Sequence, residues 1–410
     1  MPQSRSRAVS LLLLSYLAFI SLGLPDGLLG VAWPSIRTTF GLPLDALGAL
    51  LIATTVGYVT SSFISGPILA RMNLGVLLAL SAGATATSLL GYTLAPAWWV
   101  MVAFGTLAGL GAGAIDAGLN TFVATNYSSR RLNMLHAFYG LGTTAGPIIM
   151  TNVLLAQLPW QRGYIIVASA QIVLAVCFLA TRSLWPSTEA ATAAATVRGA
   201  TVASTLRLPA AWLGIVAFSV YVGVEAAAGA WIYTFLSESR GFPMSAAGMG
   251  VSLFWAGLMG GRVVFGLLPS TRRPASLLRW AVGSVTVAAA VLAVDPGARA
   301  SVAAVAVLGF ASGPIFPSLI ATTAARVGQS HTANTVGFQV AAAALGQSLL
   351  PTFVGILAQR LGLEVIPVGI VLAGAVLFAV CELMAAVSTA RSESTKSEIR
   401  NELEVRSSKS

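Results

Sequence analysis

The chain alternates between long apolar stretches and short polar breaks along its whole length. A bilayer-spanning helix needs about 20 mostly apolar residues. Such stretches fall at 9–36, 44–70, 74–94, 98–124, 132–157, 163–185, 210–236, 246–269, 275–294, 300–324, 332–358 and 365–389. The pattern therefore predicts an all-α polytopic membrane protein with twelve transmembrane helices.

The pattern also repeats. At a shift of 200 residues, "FGLPLDALG" (40–48) falls on "RGFPMSAAG" (240–248). Gly23, Gly57, Gly66, Gly83, Gly109, Gly113 and Gly146 fall on Gly223, Gly257, Gly266, Gly283, Gly309, Gly313 and Gly346, and Pro96 falls on Pro296. Chance gives roughly two glycine matches at one shift, so the register marks two related six-span halves. They are expected at 1–185 and 210–389, joined by a polar Ala/Thr-rich linker at 186–209 and followed by a charged tail at 390–410 expected to be poorly ordered. Small residues let helices approach closely in lipid, so most of this glycine is expected to serve packing.

Composition agrees: 56% of residues are hydrophobic and 9% charged, against about 25% charged in soluble proteins. The net charge of +10 raises nucleic acid as a partner, but its distribution excludes that reading, because the arginines and lysines stand between spans. One side collects Arg5, Arg7, Arg71, Arg130, Arg131, Arg182, Arg198, Arg207, Arg272, Arg273, Arg279, Arg326 and the basic residues of the tail. The other holds Arg37, Arg162, Arg240, Arg299 and Arg360. By the positive-inside rule both termini are expected in the cytoplasm, and the protein in the plasma or inner membrane. Arg5 and Arg7 before "LLLLSYLAFI" resemble a signal-peptide start, but the apolar run is too long and lacks a small-residue cleavage site, so it is expected to remain as span 1. Cys177 and Cys381 lie within spans and suggest packing, with no disulfide framework or metal motif. No nucleophile–base constellation, phosphate loop or cofactor motif argues for an enzyme.

Two six-span halves point to a transporter, whose solute site lies near mid-membrane between the repeats. At this level the chain resembles the major facilitator superfamily, and within it the fucose–proton symporter family and its glucose-transporting relatives. The residues that carry the resemblance are "GLPDGLLGVAWP", "GAGAIDAGLN", "RRLNMLHAFYGLGTTAGP", "YVGVEAAAGAWIYTF", "FWAGLMGGR" and "GPIFPS", spread over nearly the whole chain. One loop departs: "GPILARMNLG" has Ala70 and Arg71 where the superfamily usually places an acid before its basic residues, so the usual gating ion pair does not carry over.

Ionisable residues deep in a span are costly and are usually functional. Asp26 adjoins Pro25 among glycines, where the helix is expected to loosen; it either bonds freed backbone donors or serves solute and proton. The resemblance implies the second role for an acid in span 1. Asp116 and Asn120 share a helix face at i, i+4, and the resemblance implies proton coupling for an acid in span 4. Phe316 stands at the repeat position of Asp116, so the repeat's packing does not itself demand an acid there. Glu225, one turn after Tyr221, lies near the middle of span 7; burial without a cation would favour its protonated form, as a proton carrier requires. Arg262 in span 8 lies at the depth of Asp116, which predicts an Asp116–Arg262 gating pair; the other reading is an arginine bonded to carbonyls of its own half. Asp45 and Glu382 lie near span ends, where the interface can solvate them. Asn133 is implied as a solute contact by the resemblance, and His136 shares its face. Tyr139, Trp231, Trp255 and Gln339 are candidates to stack on or bond a sugar, packing being the alternative for the aromatics.

The leading expectation is a proton-coupled uptake symporter for a sugar or similar polar solute, working as a monomer without a cofactor. Its partners are then a small solute, H+ and the lipid bilayer. The competing expectation is a proton-antiport exporter of drugs or metabolites, whose site would be larger and more apolar.

Overall fold

In the computed structural model, described for residues 2–69, 71–185, 200–267, 274–295 and 297–407, the regular structure is helical. Six long helices come first: α1 (Pro2–Phe40), α2 (Leu47–Leu69), α3 (Leu74–Leu94), α4 (Trp98–Asn126), α5 (Ser129–Leu155) and α6 (Gln161–Ala180). A short α7 (Val202–Leu206) precedes α8 (Pro209–Thr234), α9 (Met244–Leu267) and α10 (Pro274–Ala293). Span 10 is broken into α11 (Ala298–Ser312), α12 (Ile315–Ala321) and α13 (Thr323–Val327), and α14 (Gln329–Leu361) and α15 (Val365–Ser407) follow. Most of the expected linker, 186–199, lies outside the described residues.

Among the described residues, eleven helices are long and apolar enough to cross a membrane. The twelfth expected span, α5, is 27 residues long but begins with Arg130, Arg131, Asn133 and His136. It packs against α1 and α9, which lowers its need for an apolar surface. The expected loose tail is corrected: α15 continues to Ser407. Its Glu, Lys, Arg and Leu residues are good helix formers, and extending an existing helix avoids the cost of nucleation. Arg326, counted above among loop cations, is also corrected. It is 2% exposed inside α13, where it donates to the hydroxyls of Thr322 and Thr323. The break in span 10 carries it into the fold.

The contacts obey the repeat. α1 packs on α5 as α8 packs on α14, α2 on α4 as α9 on α11, and α3 on α6 as α10 on α15. Between the halves, α5 meets α9 and α14 meets α2. The glycine register appears in individual contacts. A Cβ at Gly109 would collide with the carbonyl of Thr54, and one at Gly309 with that of Phe254. One at Gly113 would collide with Tyr58 O, and one at Gly313 would stand 2.7 Å from Leu258 O.

The face of the bundle away from the termini is closed. Gly48 packs on Thr352 of α14, and its repeat partner Gly248 packs on Thr151 of α5. Arg37 pairs with Glu238, and the Leu44 amide donates to Gln359 Oε1 at 2.7 Å. Nearby, Arg240 binds Asp295 and Glu364 and ties the loops of the second half together. Burial acts to raise the Glu364 carboxyl, but hydrogen bonds from Arg240 and Ser239 outweigh it and hold the pKa below its ordinary value.

The Arg37 and Glu238 side chains are 26% and 31% exposed, and such pairs contribute about 0–1 kcal/mol. Arg37→Gln is therefore expected to raise labelling of a cysteine placed at Leu29, with reagent added from this face, by no more than about fivefold. A much larger rise would show that the ion pair, and not the Gly–Thr packing, holds the face shut.

Candidate functional site

Glycines bring α1 and α5 together. Added Cβ atoms at Gly23 and Gly142 would collide with Tyr139 O and Ile20 O. This close approach lets the Tyr139 hydroxyl donate to Asp26 Oδ2 at 2.7 Å. The expected loosening at Pro25 does not occur, since α1 is continuous. Pro25 has no N–H for the Ser21 carbonyl; Gln171 of α6 supplies a donor instead, Nε2 to Ser21 O at 2.8 Å. The side chain of Asp26 is thus left to the site.

Removing Gln171 strands a buried carbonyl, at a cost of about 1–3 kcal/mol. Gln171→Ala is expected to lower the melting temperature. It should cost less in a Pro25→Ala background, where the helix can bond its own carbonyl. Equal costs in both backgrounds would remove this role for Gln171.

Asp116 is held within the first half. Gly111 and Gly113 seat α4 against α3 and α2, and the Tyr58 hydroxyl donates to Asp116 Oδ2 at 2.5 Å. Asn120 Nδ2 donates to Oδ1 at 2.9 Å and to the Asp116 carbonyl at 3.0 Å.

The expected Asp116–Arg262 pair is corrected by these contacts and by those of Arg262. Its Nη2 lies 3.4 and 3.3 Å from Oε1 and Oε2 of Glu225. Backbone depth misled because an arginine side chain reaches well beyond its own Cα, here to the neighbouring helix. Glu225 was read without a cation and has one. The contact is long and uses one nitrogen, whereas the Tyr221 hydroxyl lies 2.6 Å from Glu225 Oε2 and 2.9 Å from Ser312 O. That hydroxyl has a single proton. It satisfies both oxygens fully only when Glu225 is itself protonated and donates to it.

Two adjoining cavities occupy the centre. The larger, about 240 Å³, is bordered by Asp26, Tyr58, Asp116, His136, Tyr139 and Arg262. The smaller, about 100 Å³, is bordered by Asp26, Tyr139, Glu225, Trp255 and Gln347. Asp26 and Tyr139 therefore stand between the two.

Other expected contacts are placed elsewhere. Trp231 is wholly buried, donates its N–H to Pro351 O at 2.9 Å and packs on Gly355. Gln339 is wholly buried, accepts from Thr323 and adjoins Gly214. Both residues are corrected from solute contacts to packing, because neighbouring helices cover them; neither borders either cavity. Asn120 is engaged by Asp116 and also borders neither cavity. His136 borders the larger cavity, edge-on to Phe19 at 5.6 Å. The Asn133 side chain lies outside the described residues. At a span end Glu382 pairs with Arg279 at 2.5 Å. Sequence reading missed Tyr58, Gln171 and Gln347, which carry no charge and sit in spans without a distinguishing pattern.

Two matched helical halves around a central cavity that holds buried carboxylates define a transporter. The chain belongs to the Major Facilitator Superfamily, whose family model matches residues 15–338. It is similar to sodium-dependent glucose transporter 1 of Danio rerio, 22% identical over 83% of this chain, and spans 63% of that protein's length. The Homo sapiens protein of the same name is 22% identical over 83% of this chain and 72% of its own. The fold resembles that of the nucleoside transporter NupG, with a TM-score of 0.75, 14% identity and coverage of 90% of this chain and 98% of the other. An inward-facing, occupied bacterial homologue of the human lysosomal transporter Spinster gives 0.71 at 14% identity, covering 94% and 97%. The transporter FucP in its outward conformation gives 0.62 at 15% identity, covering 91% and 98%.

Proposed function

We propose that the protein takes up a sugar or similar small polyhydroxylated solute together with a proton, by alternating access. The observation that carries this reading is the central site itself. It combines three carboxylates, Asp26, Asp116 and Glu225, with hydroxyl and amide groups in cavities of about 240 and 100 Å³. These buried carboxylates and hydroxyls offer hydrogen bonds that a polyhydroxylated solute can satisfy and an apolar exporter cargo cannot. The relatives named for glucose transport favour the same class.

Glu225 is the proposed proton carrier. Protonation weakens its attraction for Arg262 and completes the chain from Glu225 through Tyr221 to Ser312 O. Loss of the proton returns the Tyr221 hydrogen to the carboxylate and leaves the Ser312 carbonyl without it. Ser312 ends α11, directly before the break in span 10. The proton state of Glu225 thereby reaches a bend between helices. Asp26 and Asp116 share the site as solute or secondary proton groups. With both termini in the cytoplasm, the closed face is the outer one and the central cavities serve the inward-facing state.

The test is uptake into proteoliposomes of labelled D-glucose and L-fucose under an imposed pH gradient, with and without sodium. Accumulation that follows the proton gradient and persists without sodium supports the reading. Accumulation that requires sodium and ignores pH would overturn the proton, and transport confined to lipophilic cations would overturn the solute class.

A further inference from the structure

Away from the central cavities, a groove of about 640 Å³ runs between α10 and α11, with Phe378 of α15 also bordering it. Apolar and small residues line it, among them Gly283, Val287, Ala303 and Val307. It follows α10 from Arg279 to Val291, which is about 18 Å at the helical rise of 1.5 Å per residue. One leaflet of the hydrocarbon core is about 15 Å deep, so the groove has the length of one leaflet. Nothing in the chain comes nearer to a Cβ added at Gly283 than Phe378 Cε2, at 3.9 Å. Internal packing therefore does not require this glycine, although glycine weakens a helix relative to alanine. The end of the groove on the side of the termini is charged. Arg279 Nε donates to Glu382 Oε1 and Nη2 to Oε2, each at 2.5 Å. The two side chains remain 54% and 39% exposed. Trp280 beside them is 77% exposed, and exposed tryptophans sit at the level of lipid headgroups. The repeat positions of Arg279 and Glu382 are Ala79 and Arg182, so the repeat does not itself demand the pair.

We infer that this groove holds a phospholipid of the leaflet on the side of the termini, with an ethanolamine headgroup at the Arg279–Glu382 pair. One acyl chain lies along Gly283 and Val287. The phosphate accepts from Arg279, and the primary ammonium donates to Glu382. The pair has capacity left for both: a guanidinium offers five N–H donors and a carboxylate about four acceptor sites, and their mutual contact engages two of each. Charge complementarity selects the headgroup, because a phosphodiester next to an ammonium matches a cation next to an anion. A choline headgroup has no N–H to donate. A glycerol headgroup brings no cation for Glu382 and sets its phosphate against that carboxylate.

Native mass spectrometry of the purified full chain tests the assignment. The chain is titrated with phosphatidylethanolamine, phosphatidylcholine and phosphatidylglycerol that carry the same acyl chains. The ethanolamine lipid is expected to bind roughly three- to tenfold more tightly than the choline lipid, the difference of one hydrogen bond. Glu382→Gln should abolish that preference and strengthen binding of the glycerol lipid. Gly283→Leu fills the groove from a position that no other helix crowds, and it should weaken the ethanolamine lipid by a similar factor. Ala303→Leu fills the opposite wall and decides the point if Gly283→Leu does not fold. Equal binding of the ethanolamine and choline lipids by wild type, or an unchanged preference in Glu382→Gln, would overturn the headgroup assignment. Unchanged affinity in the folded groove variants would remove the lipid from this groove. Wild-type dimers that dissociate in those variants would give the groove to a second copy of the chain instead.

Discussion

Glu225→Gln is expected to abolish uphill accumulation while leaving exchange of preloaded solute. Under a gradient of one pH unit, one proton per solute supports about tenfold accumulation, since one unit corresponds to 1.36 kcal/mol. The glutamine side chain cannot release a proton, so the ratio should fall to about one. Solute exchange needs only the closed, loaded state and should survive. Arg262→Gln tests the pairing that the structure substitutes for the expected one. It leaves Glu225 buried without its cation, at a cost of a few kcal/mol when a buried pair is broken from one side. Glu225→Gln with Arg262→Gln should recover part of that stability, whereas Asp116→Asn with Arg262→Gln should be additive. Tyr221→Phe leaves the carboxyl in place and removes the link to Ser312 O. It is expected to shift the pH profile of uptake more than the affinity for solute. Accumulation at the wild-type level in Glu225→Gln would take the proton away from this residue.

The second large effect concerns the fold. Gly109→Val and Gly309→Val should each strongly reduce the yield of folded, monodisperse protein. The carbonyls of Thr54 and Phe254 belong to neighbouring helix backbones and cannot move aside as a flexible side chain would. Overpacking a well-filled interior costs about 1–3 kcal/mol, and two helices forced apart lose further contacts along their length. Gly83→Ala and Gly266→Ala supply the contrast, because an added Cβ at either position meets nothing within 4 Å. The repeat weights these four glycines alike, so equal damage from all four substitutions would show that the close approaches do not set the packing.

The sequence by itself determined the membrane helices, the two-fold repeat and the depth of the buried charges. These follow from one-dimensional quantities: the length of apolar runs, the spacing of glycines and the count of residues from a span end. It also singled out Asp26, Asp116, Glu225 and Arg262, because charge in an apolar run is conspicuous. Only the tertiary structure decided which charges meet. Depth placed Arg262 level with Asp116, but the guanidinium reaches Glu225, while Tyr58 and Asn120 engage Asp116. Likewise Trp231 and Trp255 are both tryptophans within apolar spans, yet one donates to Pro351 O and the other borders the central chamber. Gln171 and Gln347 left no trace in the hydropathy pattern, although one repairs the helix at Pro25 and the other borders both cavities. The direction a side chain takes from its helix, and what the facing helix offers it, depend on contacts between residues that lie on different helices and are often far apart along the chain. A linear pattern records that a polar group is buried; the fold determines its partner.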